Sequence, residues 1–287
     1  MRRVCGVRSG SILIDYASPL FPLFGLLAAG LLAAAAAQAQ APVRSGPAPA
    51  APSDEQSYRK EFVYGVNFNT QGGLLGGAMV RSTRVLDDQW MRFWSIEGVM
   101  LKNAKEERIN TVVGGTYVDR KTNYAFVLRP SVGLQRILFR KAADAGVQVN
   151  GLVSAGPSLG LLMPYYISFD RTATQTRVIN VSTDEIVNEQ YDPVKHADVG
   201  AILDRGPLFS GIGQTKIVPG FHLRGGLSFE YGRYRDAVTG MEVGFLVEGY
   251  TKRLLILSPT NNPKEVDGLN RQFFPSVYLT LYFGHRS

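Results

Sequence analysis

Two kinds of apolar pattern divide this chain. Near the N-terminus a single unbroken run extends from Ala17 through Leu26, Leu27, Leu31 and Leu32 to Ala37. Beyond residue 60 no helical period is sustained, and apolar residues instead recur at every second position, the period of a strand with two unlike faces. Phe62, Tyr64, Val66 and Phe68 share one face opposite Gly65, Asn67 and Asn69, and a glycine-rich stretch follows around Leu74 to Arg84 whose register is ambiguous. Trp90, Trp94, Ile96 and Met100 then oppose Ser95 and Glu97. Tyr124, Phe126, Leu128, Val132 and Leu134 oppose Arg129, Ser131, Gly133 and Gln135. Val147, Val149, Val153, Leu159 and Leu161 oppose Gln148, Asn150, Ser154 and Ser158. Phe221, Leu223, Leu227, Phe229 and Tyr231 face away from His222, Arg224, Ser228 and Glu230. Met241, Val243, Phe245 and Val247 do the same against Glu242, Gly244 and Glu248, and Val277, Leu279, Leu281 and Phe283 against Ser276, Tyr278, Thr280 and Tyr282.

A soluble sandwich also alternates, but its polar face is charged and turned to water. Here the polar face is mostly Gly, Ser, Asn and Gln with isolated charges, which suits a narrow interior. The apolar face is large and aromatic, with Trp90, Tyr124, Phe229 and Tyr231 near strand ends where interfacial girdles sit. Connection lengths sort in the same sense. Links near 85–89, 137–146 and 232–240 are short, while those near 102–123, 164–214 and 251–271 are long, and only Thr70-Gln71-Gly72-Gly73 is tight on the long side. Short periplasmic turns and long outer loops are the habit of outer-membrane barrels. The expected fold is therefore all-β: a closed antiparallel transmembrane β-barrel of about eight strands, ten if the long connections add a pair. Pro130 and Pro157 fall inside two of these strands, where each removes a ladder hydrogen bond, yet the alternation keeps its phase through both.

The N-terminal run has Arg2, Arg3 and Arg8 before it and Ala37-Gln38-Ala39 at its end, the three parts of a secretory signal peptide. Residues 1–39 are assigned to that signal, 40–57 to an Ala/Pro-rich disordered linker, and 58–287 to the barrel. An uncleaved anchor is the alternative, since about 18 apolar residues can cross a bilayer, but Pro19 and Pro22 suit a leader better. Cys5 is the only cysteine and would leave with the leader, which excludes disulfides, CxxC zinc sites and cysteine nucleophiles. Removing three arginines and Asp15 lowers the formal charge from +7 to +5. With no Lys/Arg block, nucleic-acid binding has no support.

The segments Leu128-Arg129-Pro130-Ser131-Val132-Gly133 and Ser154-Ala155-Gly156-Pro157-Ser158-Leu159-Gly160-Leu161, Tyr191-Asp192-Pro193 with His196, and the ending Tyr278-Leu279-Thr280-Leu281-Tyr282-Phe283-Gly284 carry a resemblance. From about residue 60 onward the chain resembles the small outer-membrane β-barrel proteins of Gram-negative bacteria, OmpA-like or porin-type barrels. That resemblance implies outer-membrane lipid as surroundings and the barrel-assembly machinery as a partner reading the aromatic last strand. Four residues follow Phe283, a departure from a strictly terminal aromatic.

Three constellations could carry chemistry. Gly156-Pro157-Ser158-Leu159-Gly160 fits G-x-S-x-G, with Asp192 or Asp204 and then His222 in hydrolase order. The motif needs a strand-to-helix elbow, whereas alternation here runs straight through, so Ser158 reads as a lumen-facing strand serine. Lipid A deacylase barrels place their histidine and serine two apart in one strand; Arg224 stands at that spacing from His222, so the carry-over fails. Asp192, His196 and Asp198 in the longest loop are a weak divalent-metal set, and His285 reads as a solvated tail residue. Glu97, Arg129, His222, Arg224, Glu230, Glu242 and Glu248 are placed inside as scaffold charges, because an eight-stranded interior is filled by side chains. Hairpin symmetry about residues 113 and 236 pairs Glu97 with Arg129 and Arg224 with Glu248, and Leu254, in an outer loop, is read as tolerant of substitution by Arg.

No catalytic, cofactor-binding or metal residue is assigned, and no cofactor is expected. The expected role is a non-enzymatic outer-membrane barrel acting structurally or by binding an extracellular or periplasmic ligand through its loops. A narrow solute channel is one alternative. A membrane-embedded lipid hydrolase is another, and it requires Ser158 and His222 within hydrogen-bond reach.

Overall fold

A computed structural model describes residues 59–140, 146–172, 185–231, 237–258 and 266–287. The expected signal peptide and linker lie outside the described residues. In chain order the first strands are β1 (Lys60–Asn69), β2 (Gly73–Val85), β3 (Trp90–Leu101), β4 (Arg108–Asn110), β5 (Thr116–Val118), β6 (Asn123–Phe139) and β7 (Val147–Pro164). They are followed by β8 (Tyr166–Asp170), β9 (Ile186–Gln190), β10 (Ile202–Arg205), β11 (Lys216–Tyr231), β12 (Ala237–Tyr250) and β13 (Phe273–Arg286).

Eight strands form a closed barrel in the order β1-β13-β12-β11-β7-β6-β3-β2, every neighbouring pair antiparallel. Closure comes from β1 against β13, registered from Glu61↔Arg286 to Asn69↔Tyr278. Closing the sheet removes the edges that would otherwise expose unpaired backbone groups, the condition for a sheet to sit in lipid. The five remaining strands belong to the long connections, where β4 pairs with β5 and β10-β8-β9 form a separate sheet. The long loops thus build a cap of their own and do not enlarge the barrel to ten strands.

Inward and outward positions follow the expected parity in the seven barrel strands whose faces the sequence defines. In β3 the pattern alternates from Trp90 to Leu101, and Ser95 and Glu97 are buried while Trp94 and Ile96 are exposed. The ambiguous second strand turns Met79, Arg81 and Thr83 inward. Trp90 and Tyr231 stand exposed at strand ends as a girdle requires, but Tyr124 does not. Its ring packs edge-on against Tyr165, 5.2 Å away, under the cap.

The two in-strand prolines sit opposite each other. The β6–β7 ladder pairs Leu128 with Leu159 and resumes at Val132 with Ala155 in the same register, which places Pro130 level with Pro157. On their other sides both are accommodated, since the β3–β6 ladder runs through Ile96↔Pro130 and the β7–β11 ladder through Phe221↔Pro157. The two missing N–H donors therefore fall in one gap of one ladder, without a bulge, and the alternation keeps its phase. Gly156 lies beside that gap, where a Cβ would collide with the Pro130 carbonyl.

Candidate functional site

The lumen is packed with charged side chains. At mid-height Arg129 donates through Nε and Nη2 to the two oxygens of Glu248 at 2.9 and 2.8 Å, and through Nη1 to Glu97 at 3.1 Å. Glu97 is shared, because Arg224 Nη1 donates to its other oxygen at 2.6 Å. Arg224 also reaches Glu242 at 2.7 Å and Thr280 Oγ1 at 3.2 Å, and Arg81 donates to Glu242 from the far wall. Tyr278 completes the set, donating to Glu242 at 2.7 Å with its ring 3.9 Å from the Arg224 guanidinium. Its hydroxyl has room because the facing pair Gly226 and Gly244 carry no Cβ. Three carboxylates and three guanidiniums thus balance within one buried network, the condition under which buried charge is tolerated. Towards the end of the barrel away from the cap Arg286 bridges Glu61 at 2.9 Å and Glu230 at 2.5 Å.

The expected Glu97–Arg129 pair is present, with the two residues directly opposed in the β3–β6 ladder. The expected Arg224–Glu248 pair is not. The β11–β12 hairpin sets His222 opposite Glu248 and Arg224 opposite Leu246, a turn centred one residue earlier than symmetry about 236 assumed. Arg224 instead turns to Glu97 and Glu242, and Glu248 takes Arg129. Arg81, Glu61 and Arg286 were missed by sequence reasoning, Arg81 because either register of its glycine-rich strand carries an arginine inward.

Above the network the lumen is closed by an apolar plug. Inward residues at the outer strand ends, among them Val99, Leu101, Val127, Leu162 and Phe274, pack with Leu254, Ile256 and Leu257 from the connection after β12. Asn270 holds that connection in place: its Oδ1 accepts from the Ile256 and Leu257 amides at 2.8 and 3.0 Å, and its Nδ2 donates to the Leu257 carbonyl at 2.7 Å. Leu254 is fully buried here, so the expectation that it tolerates arginine is overturned.

Ser158 Oγ and His222 Nδ1 are 3.0 Å apart, so the hydrolase pair does meet. Both belong to straight, inward-facing strand positions and are almost wholly buried, at 0% and 2% exposure. The serine lacks the exposed elbow of the nucleophile motif, and it lies on the lumen side of the wall, away from the outward-facing residues.

The cap has its own core of Tyr117, Tyr165, Ile167, Phe169, Tyr191 and Ile202. Burial pushes the Tyr165 hydroxyl up to about 12, and burial likewise pulls the Lys121 ammonium down against the opposing pull of Glu106, 2.8 Å away. His196 belongs to this core. Its ring stacks on Tyr191, its Nδ1 sits 3.0 Å from the Asp192 backbone, and its Nε2 sits 3.2 Å from Glu189. Asp192 accepts from the Val194 amide and Asp198 from the Gly200 amide, so each carboxylate shapes its own turn. Among the described residues no group of three or more His, Cys, Asp or Glu side chains is placed to hold a metal ion, and Asp192, His196 and Asp198 are a folding motif of the cap.

Fold and site together define a class: a closed eight-stranded antiparallel barrel with an apolar outer wall, an ion-paired lumen and a separately cored cap. No protein-family profile and no curated relative matches the chain. Among solved structures it is similar to Ail, the attachment invasion locus protein of Yersinia pestis, at 8% identity and a TM-score of 0.35, covering 80% of this chain and 99% of that one. The complex of Ail with the heparin analogue sucrose octasulfate gives 9%, 0.34, 80% and 99%. Neisserial surface protein A gives 6%, 0.34, 80% and 97%. The barrel assignment itself rests on the strand ladders.

Proposed function

We propose that the chain is a non-enzymatic outer-membrane β-barrel that does not conduct, and that its work is done by the extracellular cap as a binding surface. In this reading residues 1–39 are the export leader, 40–57 a tether, outer-membrane lipid surrounds the wall, and the barrel-assembly machinery inserts it. The observation that carries the reading is the contrast between lumen and cap. The lumen is filled by a charge-balanced network beneath an apolar plug, which leaves no use for it as a path, whereas two long connections fold into a cored sheet structure that the barrel does not need for closure. The outward wall supports membrane placement, with Val132, Phe245 and Tyr231 more than two-thirds exposed, as apolar side chains are when lipid is their solvent.

The test is electrophoretic and electrical. The outer-membrane fraction should hold a band whose mobility shifts between unboiled and boiled samples, and the folded protein should be silent in planar bilayers. Recovery from the soluble periplasm without a shift would refute the barrel in the membrane, and discrete conductance steps would refute the filled lumen. The Ser158–His222 contact favours a second reading, lipid hydrolysis, and Ser158→Ala decides it. Loss of an esterase activity displayed by the native barrel would establish the hydrolase, and the proposal expects no such activity to lose.

A further inference from the structure

We propose that the barrel rim between β10 and β11 is a binding site for one anionic amphiphile, a lipid with a phosphate-bearing headgroup. The proposal rests on the outer-membrane reading above and names what that membrane would place at this rim. Two separate observations meet there. The first is a groove of about 450 Å³ lined by Tyr124, Ser168, Asn188, Arg205, Pro207 and Leu208. Arg205 is exposed, and its backbone N–H donates to Asp204 Oδ1 at 2.8 Å, which leaves its guanidinium at the groove. Ser168 donates to Asn188 Oδ1 at 2.8 Å, which leaves the Asn188 amide nitrogen to donate into the groove. A cation, an amide donor and a tyrosine ring around one opening suit an anionic, hydroxylated headgroup, since charge-assisted hydrogen bonds to phosphate are among the strongest a surface can offer.

The second is an apolar ridge that begins where the groove ends. Leu208, Phe209, Ile212 and Ile217 are 41%, 62%, 65% and 64% exposed. The segment is held at rim height at both ends: Gly206 N–H donates to the Tyr166 carbonyl at 2.7 Å, and Lys216 already pairs with Leu162 of the barrel wall. Ile217, level with Leu161, is the first residue of β11 on the outward wall, so the ridge is continuous with the lipid-facing band. A polar, cationic groove that shares Leu208 with an apolar ridge running into that band has the polarity profile of one lipid molecule, headgroup at the groove and chains along the ridge. A water-soluble anion would have no use for the ridge, and a purely apolar partner none for Arg205.

The full chain, folded and purified in neutral detergent, is equilibrated with mixed micelles of phosphatidylglycerol and phosphatidylcholine and the retained lipid is counted by native mass spectrometry. Phosphatidylglycerol should be retained in preference to phosphatidylcholine. Arg205→Gln should lower that retention about tenfold, the scale of one charge-assisted hydrogen bond, and the Phe209→Ser/Ile212→Ser double variant should lose both lipids. Glycerol phosphate alone should not displace the lipid. Equal retention of the two lipids by the native chain overturns the proposal without recourse to any variant. Displacement by glycerol phosphate also overturns it, leaving a soluble-anion site. The heat-dependent gel shift, read on the same samples, separates a failed site from a failed barrel.

Discussion

The interior network makes a graded prediction. Arg129→Met removes three hydrogen bonds at once, two of them to Glu248 and one to Glu97. The carboxylates are not left equal. Glu97 keeps Arg224 at 2.6 Å, whereas Glu248, fully buried, has no other ion-pair partner among the described residues. Breaking a buried pair by removing one member costs about 3–5 kcal/mol, because the other charge stays behind without compensation. Most of that cost should come from Glu248, so Glu248→Gln should rescue Arg129→Met better than Glu97→Gln does. Double-mutant cycles measured by urea unfolding of the barrel in lipid vesicles, followed by the folded-to-unfolded gel shift, report both couplings. The Arg129–Glu248 coupling should approach the upper end of the range of about 0.5–3 kcal/mol found for residues sharing a network, and Arg129–Glu97 should be smaller. Additivity of both pairs, or a larger coupling to Glu97, would refute the bidentate assignment and with it the filled lumen.

Three further predictions follow from other parts of the molecule. Leu254→Ala should destabilise the barrel by about 2–5 kcal/mol in the same assay, since the side chain is fully buried in the plug; a mild effect would mean the plug is not packed. Leu128→Arg or Val247→Arg, on the outward wall, should impair assembly into vesicles by about 2–4 kcal/mol, while Val112→Arg, 77% exposed in the cap, should be silent, and equal behaviour of all three would refute the lipid-facing assignment. Lys195, with His196 and Arg171, holds the Glu189 carboxyl at about 2 against an ordinary 4.5. Its contribution to the cap is therefore present above 4.5 and lost as pH falls towards 2, so the native cap should turn pepsin-sensitive across that interval, while Glu189→Gln should lack the acid step.

What the sequence could and could not reveal follows from the kind of information each feature needs. Facing is set by a period of two along one strand, so Glu97, Arg129, His222, Arg224, Glu230, Glu242 and Glu248 were all legible as inward residues and are all buried. Pairing within a hairpin needs one further quantity, the turn's centre, and an error of one residue in it carries a partner two positions along the facing strand. That is why Glu97–Arg129 was recovered while Arg224 was given Glu248 in place of its true neighbours. Glu248 with Arg129, Arg224 with Glu97 and Arg81 with Glu242 join strands that are not adjacent in the barrel, and no local symmetry contains them. The cap was legible only as loop length: its core of Tyr117, Tyr165 and Tyr191 draws one residue each from widely separated segments, with no period to announce it.

The opposed prolines show the same division from the other side. Read singly, Pro130 and Pro157 each argue against a closed sheet, because each deletes a ladder bond. Read as a pair they argue for it. Their positions are equidistant from the β6–β7 turn in the register that Leu128↔Leu159 and Val132↔Ala155 define, so one interruption absorbs both losses and the flanking ladders run on. If the strands slipped by two residues, the parity of every side chain would survive, but each proline would face an intact N–H and two gaps would open where there is now one. The prolines thus disfavour the slipped registers that alternation alone permits. The arginines do the same across the lumen, since a slip of β6 would carry Arg129 away from Glu97 and Glu248 together. Alternation selects the face, and the rare residues, proline in the ladder and arginine in the lumen, select the register.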